Sequence, residues 1–428
     1  MSTPNREVAA GTGAGSTGEA PVEAAGSGDG QAGRGLSRRL LLLMAVGAGV
    51  SAANTYYSQP LLSTLSHYFG VSSGVAGLVA TFAQLGFVLG LALIVPLGDL
   101  LERRRLVTVM TALTGVGLLG EAVAPDIGVL MALAAAVGCC TVTAQVFVPF
   151  AAHLATPTSR GRAVGTIMSG LLIGILIART VSGLIADVSS WRVVYVIAAL
   201  AMFALSLVCR IELPSSVPTA RTSYRRLLRS IGEIYLHEPV LRRRGLYGGL
   251  AFASFSTFWT AIAFQLAGHY HYSQAVIGLF GLLGVAGASC AQVAGRISDA
   301  GWGRVATAGF IALAGVSWLA IQAGGTQIGW MIVGILVLDL GVQGTHISNQ
   351  SEVYRLRPEA RSRLTTGYMV SYFVGGVTGS ALAGAAYGVY GWRGVCVLGA
   401  VFPALAFLVW LTEARWPLSR MKRELAEH

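Results

Sequence analysis

The chain has 428 residues, 54% of them hydrophobic and 11% charged, with a formal net charge of +11. A soluble protein carries about 25% charged residues, so a large water-soluble enzyme is excluded, because too few charges exist to cover a wetted surface. Nucleic-acid binding is not implied either: the arginines stand in short clusters between long apolar runs, which is the pattern of the positive-inside rule.

Residues 1–36 are rich in Gly, Ala, Ser and Thr and lack an apolar core long enough for a signal peptide. They read as a disordered cytoplasmic tail. About 20 apolar residues cross a bilayer, and the segments that qualify are 38–60, 75–97, 106–124, 127–154, 163–186, 191–210, 245–268, 274–295, 305–322, 328–353, 364–388 and 392–412. No long alternating pattern competes with them, so a β-barrel is excluded. The expected class is an all-α membrane protein of twelve transmembrane helices. Its parts are an N-terminal six-helix bundle over 37–210, a central cytoplasmic loop over 211–244, a C-terminal bundle over 245–412 and a cytoplasmic tail over 413–428.

With the N-terminus inside, all but three of the 30 Lys and Arg fall in inner segments, the exceptions being Arg179, Arg192 and Arg393. Both termini are therefore expected in the cytoplasm, with the protein multi-pass in the cell (inner) membrane. The outer loops are too short to bind a protein ligand. The five cysteines lie within apolar segments and read as packing residues.

The halves repeat at one constant offset. Pro157, Arg160 and Arg162 recur as Pro358, Arg361 and Arg363; Gly174 and Gly183 as Gly375 and Gly384; Trp191-Arg192 as Trp392-Arg393; Ser72 and Gly77 as Ser273 and Gly278. Two homologous six-helix halves, related by a pseudo-twofold axis, place a substrate site between them near the midplane.

After the second span comes PLGDLLERRR, Pro96 to Arg105, which resembles the signature loop of the major facilitator superfamily, G-x-L-A-D-R-x-G-R-K. Leu97, Asp99, Arg103 and Arg104 match it, and Val95, Leu100 and Glu102 depart from it. The second half carries GRISDAGWGR, with Asp299 and Arg304. The resemblance implies that these loops gate the inner face and that Asp99 caps the positive end of helix eleven, a dipole effect of about 0.3–1 kcal/mol. The fifth span, Gly165 to Asp187, is similar to the family's antiporter-associated pattern G-x8-G-x3-G-P-x2-G-G. Gly165, Gly174 and Gly183 match, Ala178 and Ser182 are small substitutes, and Arg179 replaces the proline. The first-span run NTYYSQPLL, Asn54 to Leu62, and the tenth span resemble a subgroup of bacterial sugar- and drug-efflux-like permeases.

Arg179 is an intramembrane charge, which costs at least about 2.5 kcal/mol when buried and is a functional candidate by default. In the tenth span Asp339, Gln343, His346, Asn349 or Gln350, and Tyr354 follow helical spacing, so one face of a membrane helix is polar and is expected to line a wet cavity. Asp339 reads as the only acid deep in any span. A protonatable carboxyl there suits proton coupling, and His346 has a side chain able to titrate near neutral pH. Arg179 and Asp339, on different halves, are expected to bridge the cavity in one state and part in another. Tyr56, Tyr57, Gln59, Gln145 and Trp259 complete the expected cavity wall, and Phe255 and Phe258 are candidates for it. The sequence has no nucleotide loop, so ATP does not drive the protein. No cofactor is expected, and no metal, since His269 and His271 sit in a short loop without carboxylates. The reading is a monomeric secondary transporter in the lipid bilayer whose partners are protons and a small-molecule substrate, working as an exporter by antiport. The alternatives are a proton-coupled uptake symporter and a non-transporting membrane sensor.

Overall fold

A computed structural model describes residues 37–156, 158–215, 223–284, 303–356 and 360–424. The helices are α1 (Arg38–Ala53), α2 (Leu62–Phe69), α3 (Ser73–Leu93), α4 (Leu97–Leu100), α5 (Arg103–Ala122), α6 (Ile127–Cys140), α7 (Thr143–Leu154), α8 (Arg160–Val188), α9 (Trp191–Glu212), α10 (Tyr224–His237), α11 (Pro239–Gly268), α12 (Gln274–Leu279), α13 (Gly303–Ala323), α14 (Ile328–Leu356) and α15 (Arg361–Glu424). Among the described residues there is no strand. Nine helical stretches in them are long and apolar enough to cross a membrane. The longest is broken at Gly391, whose φ of 62° favours glycine, and holds the eleventh and twelfth expected spans.

Apolar side chains cover the outside: Val46, Val116, Ile173, Leu200, Leu319 and Val397 are all exposed. Water would not tolerate such a surface, whereas lipid does. The interior is held by close backbone contact, because between membrane helices packing of small residues replaces the hydrophobic effect. A Cβ on Gly174 of α8 would overlap the backbone of Gly49 in α1, and one on its repeat partner Gly375 in α15 would overlap Gly249 in α11. The same duplication governs contact between the halves. Gly183 of α8 lies against Gln274 and Gly278 of α12, while its partner Gly384 lies against Ser73 and Gly74 of α3. Thr180 Oγ1 donates to the Gly278 carbonyl at 3.1 Å on one side, and Thr81 Oγ1 donates to Ser380 Oγ at 3.0 Å on the other. The pseudo-twofold relation read from the sequence is thus present in the packing. Gly165, the first glycine of the antiporter-like pattern, faces no neighbour within 4 Å.

Several expected spans are interrupted. The first does not run as one helix: α1 stops at Ala53, turns occupy residues 54–61, and α2 begins at Leu62. Within the turns the backbone bonds run three residues back, as in Thr55 N to Ala52 O and Gln59 N to Tyr56 O, and Pro60 can donate none. The carbonyls freed at the end of α1 are satisfied by side chains: Asn54 Nδ2 donates to Ser51 O at 3.0 Å, and Thr141 Oγ1 donates to the same carbonyl. Asn54 Nδ2 also donates to Thr141 Oγ1 at 3.1 Å, and Thr141 sits at the break between α6 and α7. The eighth span begins as α12 and then tightens into a 3₁₀ segment at Phe280–Gly284. Residues 285–302, and with them Asp299, lie outside the described residues.

Candidate functional site

Both interruptions, in the first and eighth spans, border one cluster of buried polar side chains. Arg179, on α8, is 3% exposed, and its Nε donates to Gln59 Oε1 in the α1–α2 turn at 2.7 Å. The guanidinium sits 4.1 Å from the ring centre of Trp259 on α11 and 5.0 Å from that of Tyr56, also in the turn. Such cation–π contacts contribute roughly 0.5–2 kcal/mol each but give the N–H groups no acceptor. Asp339, on α14, is equally buried. The 3₁₀ segment approaches both charges through its glycines: a Cβ on Gly281 would stand 2.8 Å from Arg179 Cβ, and one on Gly284 would stand 3.0 Å from Asp339 Oδ2.

Three atoms in this cluster have no hydrogen-bond partner among the described residues: Arg179 Nη2, Trp259 Nε1 and Asp339 Oδ1. The Trp259 N–H edge points toward the Asp339 carboxyl, outside hydrogen-bond geometry. Arg179 and Asp339 feel each other's charge, yet among the described residues no ion pair joins them. The bridge expected from the sequence is therefore absent in this conformation, because Gln59 and the two rings hold the guanidinium. Irregular backbone at membrane depth is tolerated where it lines a cavity or a binding site, and here it coincides with unsatisfied charge.

This arrangement of paired halves and broken helices matches known proteins. The Major Facilitator Superfamily profile covers residues 44–362. The chain belongs to the major facilitator superfamily. The uncharacterized transporter YgaY of Escherichia coli O157:H7 is 46% identical over 376 residues, 88% of this chain and 95% of that one. The transporter SCO4007 of Streptomyces coelicolor is 32% identical over 382 residues, 87% of each chain. A bacterial homologue of the human lysosomal transporter Spinster, solved inward-facing and occupied, shares the fold with a TM-score of 0.67 at 11% identity, covering 88% of this chain and 96% of its own.

The remaining candidate residues of this superfamily transporter scatter around that cluster. His346 Nδ1 lies 3.0 Å from the Tyr368 hydroxyl, and its ring stands 4.5 Å from that of Tyr372. Tyr372 in turn lies within electrostatic reach of Asp339 and Tyr56, so an aromatic bridge connects the histidine to the charge cluster. Asn349 is fully buried and accepts from Arg244 at 3.4 Å. Gln343, Gln350, Gln145 and Tyr57 are half-buried, and none joins the Arg179–Asp339 cluster by a hydrogen bond. Tyr354 is exposed. In the signature loop, Asp99 pairs with Arg103 at 3.4 Å. Arg103 is buried, and its Nε donates to Gly98 O at 3.1 Å while Nη1 reaches Pro149 O at 3.4 Å. Arg104 faces Glu102 at 3.6 Å. Arg304, half-buried at the start of α13, accepts from Trp410 Nε1 through its carbonyl at 3.1 Å. A separate apolar groove of about 700 Å³, lined by Leu93, Ile231, Tyr235, Gly249 and Val370 among others, shares no residue with the charge cluster.

Two buried charges escape the sequence reading. Glu121, near the end of α5, is 4% exposed and faces Tyr195, so Asp339 is not the only buried acid. Arg244 was counted with the central-loop arginines, but α11 begins at Pro239 and carries it inward, where Nη1 donates to Thr307 Oγ1 at 3.1 Å. No sequence signal separates it from Arg242 and Arg243 beside it. Hydrogen bonds to a charged group contribute about 1.5–3 kcal/mol, so Arg244→Leu is expected to lower the melting temperature in detergent, and an unchanged melting curve refutes this structural role.

Proposed function

We propose that this transporter exchanges protons for a small organic molecule by alternating access and works as an exporter in the cell membrane. The observation that carries the reading is Asp339: a carboxyl buried at the interface of the two halves, opposite Arg179 but not paired with it. In its charged form it attracts Arg179 across the interface, and protonation removes that attraction. A group whose charge alters contact between the halves biases one conformation over another, which is what coupling requires. Tyr372 and Tyr368 on α15, with His346 on α14, supply a polar track from Asp339 between the two helices, and His346 is the relay in it. The six-helix halves, 37–210 and 245–412, are the rocking units. The arginine-rich end faces the cytoplasm, as the positive-inside rule favours, and the molecule acts as a monomer.

Transport in inside-out membrane vesicles under an imposed pH gradient tests this reading with a panel of organic compounds. Export by antiport predicts gradient-driven accumulation of at least one compound and proton release from the vesicle lumen when that compound is added. Accumulation only in right-side-out vesicles, with protons moving in the same direction as the compound, replaces the exporter by an uptake symporter.

A further inference from the structure

The unsatisfied atoms of the cluster have a definite chemistry. Arg179 Nη2 is a cationic donor without an acceptor, and Asp339 Oδ1 is an anionic acceptor without a donor. Both side chains are 3% exposed, and leaving either charge uncompensated there is strongly unfavourable. Trp259 contacts both groups, with its ring centre 4.1 Å from the guanidinium and its N–H edge pointing toward the carboxyl, and among the described residues no ion pair joins the two charges. The backbone bordering them is non-helical on both sides, in the 54–61 turn that carries Tyr56 and Gln59 and in the 3₁₀ segment Phe280–Gly284. Such interruptions in membrane helices mark substrate and ion sites.

We infer that this site binds a zwitterion, an α-amino acid with an apolar side chain, whose carboxylate takes Arg179 Nη2 and whose ammonium takes Asp339 Oδ1. The inference deepens the transporter reading of the same site and rests on it. A molecule with both charges on one carbon bridges a gap too wide for an ion pair, and it satisfies both orphan atoms at once without adding net charge to the membrane interior. The apolar side chain has a surface to meet. Phe255 stands 6.0 Å from Trp259 and 5.5 Å from Phe252, which stacks on Tyr372 at 4.2 Å, a continuous wall of rings beside the charges. Among the described residues, the titratable groups facing Asp339 are Arg179 from α8 and Tyr372 from α15. An ammonium seated on Asp339 excludes a proton from the same oxygen, so substrate and proton occupy the carboxyl in turn, as exchange demands.

The test is isothermal titration of the full-length protein in lipid nanodiscs at one fixed pH. The probes are L-leucine, L-methionine, L-phenylalanine and L-tryptophan, each compared with its N-acetyl derivative, which lacks the ammonium, and its amide, which lacks the carboxylate. At least one parent amino acid is expected to bind, with both derivatives at least about tenfold weaker, or 1.4 kcal/mol. Arg179→Gln is expected to bring the parent down to the level of its amide. The isosteric Asp339→Asn, which keeps the fold testable if the arginine variant does not accumulate, is expected to bring it down to the level of the N-acetyl derivative. No binding by any of the four, or a derivative that binds as tightly as its parent, overturns the inference. Equilibrium binding needs no gradient, so amino-acid binding without proton coupling defeats only the exchange reading. Gradient-driven transport of other compounds without amino-acid binding defeats only this one.

Discussion

Asp339→Asn is expected to reduce pH-driven transport to the level of vesicles lacking the protein, with insertion and amount unchanged. The substitution keeps the shape of the side chain and its place beside Gly284 and Trp259, but the group no longer alternates between a charged and a neutral state. Arg179 then faces an amide in every state, and its attraction to α14 no longer varies during the cycle. Substrate-driven proton flux in proteoliposomes measures the effect, and wild-type flux in the variant refutes the coupling role. His346→Gln has a different signature. It leaves Asp339 intact and removes the imidazole that contacts Tyr368 and Tyr372, so the pH profile of transport is expected to shift while transport itself survives. An unchanged profile removes His346 from the relay.

Gly375→Val is expected to be among the most destabilising substitutions in the chain. The carbonyl of Gly249 occupies the space its Cβ would take, and a helix backbone cannot rotate aside as a side chain can. Overpacking commonly costs about 1–3 kcal/mol, and separating two membrane helices along their length places the effect at or above the upper end of that range. The repeat supplies a second instance: Gly174→Val meets Gly49 in the first half and is expected to fail in the same way. Gly165→Ala, which meets nothing within 4 Å, is the internal control and is expected to melt like the wild type. Melting temperature and recovered yield in detergent check all three. Equal stability of Gly375→Val and Gly165→Ala contradicts the close-packed interface.

Most of the fold is legible in the sequence because its causes are local or periodic. Span lengths, the distribution of arginines and the constant offset between halves require no knowledge of which helices touch. Arg179 and Asp339 are legible too, since a charge inside an apolar run is costly wherever the helix packs. Their environment is not. That α1 ends at Ala53 is not legible, nor that the turn after it delivers Gln59 to Arg179. Asn349 and Asp339 share a polar helix face, and only packing decides that the first meets Arg244 in the core while the second stays unpaired. Glu121 and Arg244 sit where a span ends, and a sequence cannot distinguish a charge that reaches out to water from one folded inward. The sequence alone determined the membrane class, the duplicated six-helix halves and the two intramembrane charges. Only the tertiary structure decided that both charges meet the same indole without pairing with each other, because that depends on side chains from the first, fifth, seventh and tenth spans and backbone from the eighth converging on one point.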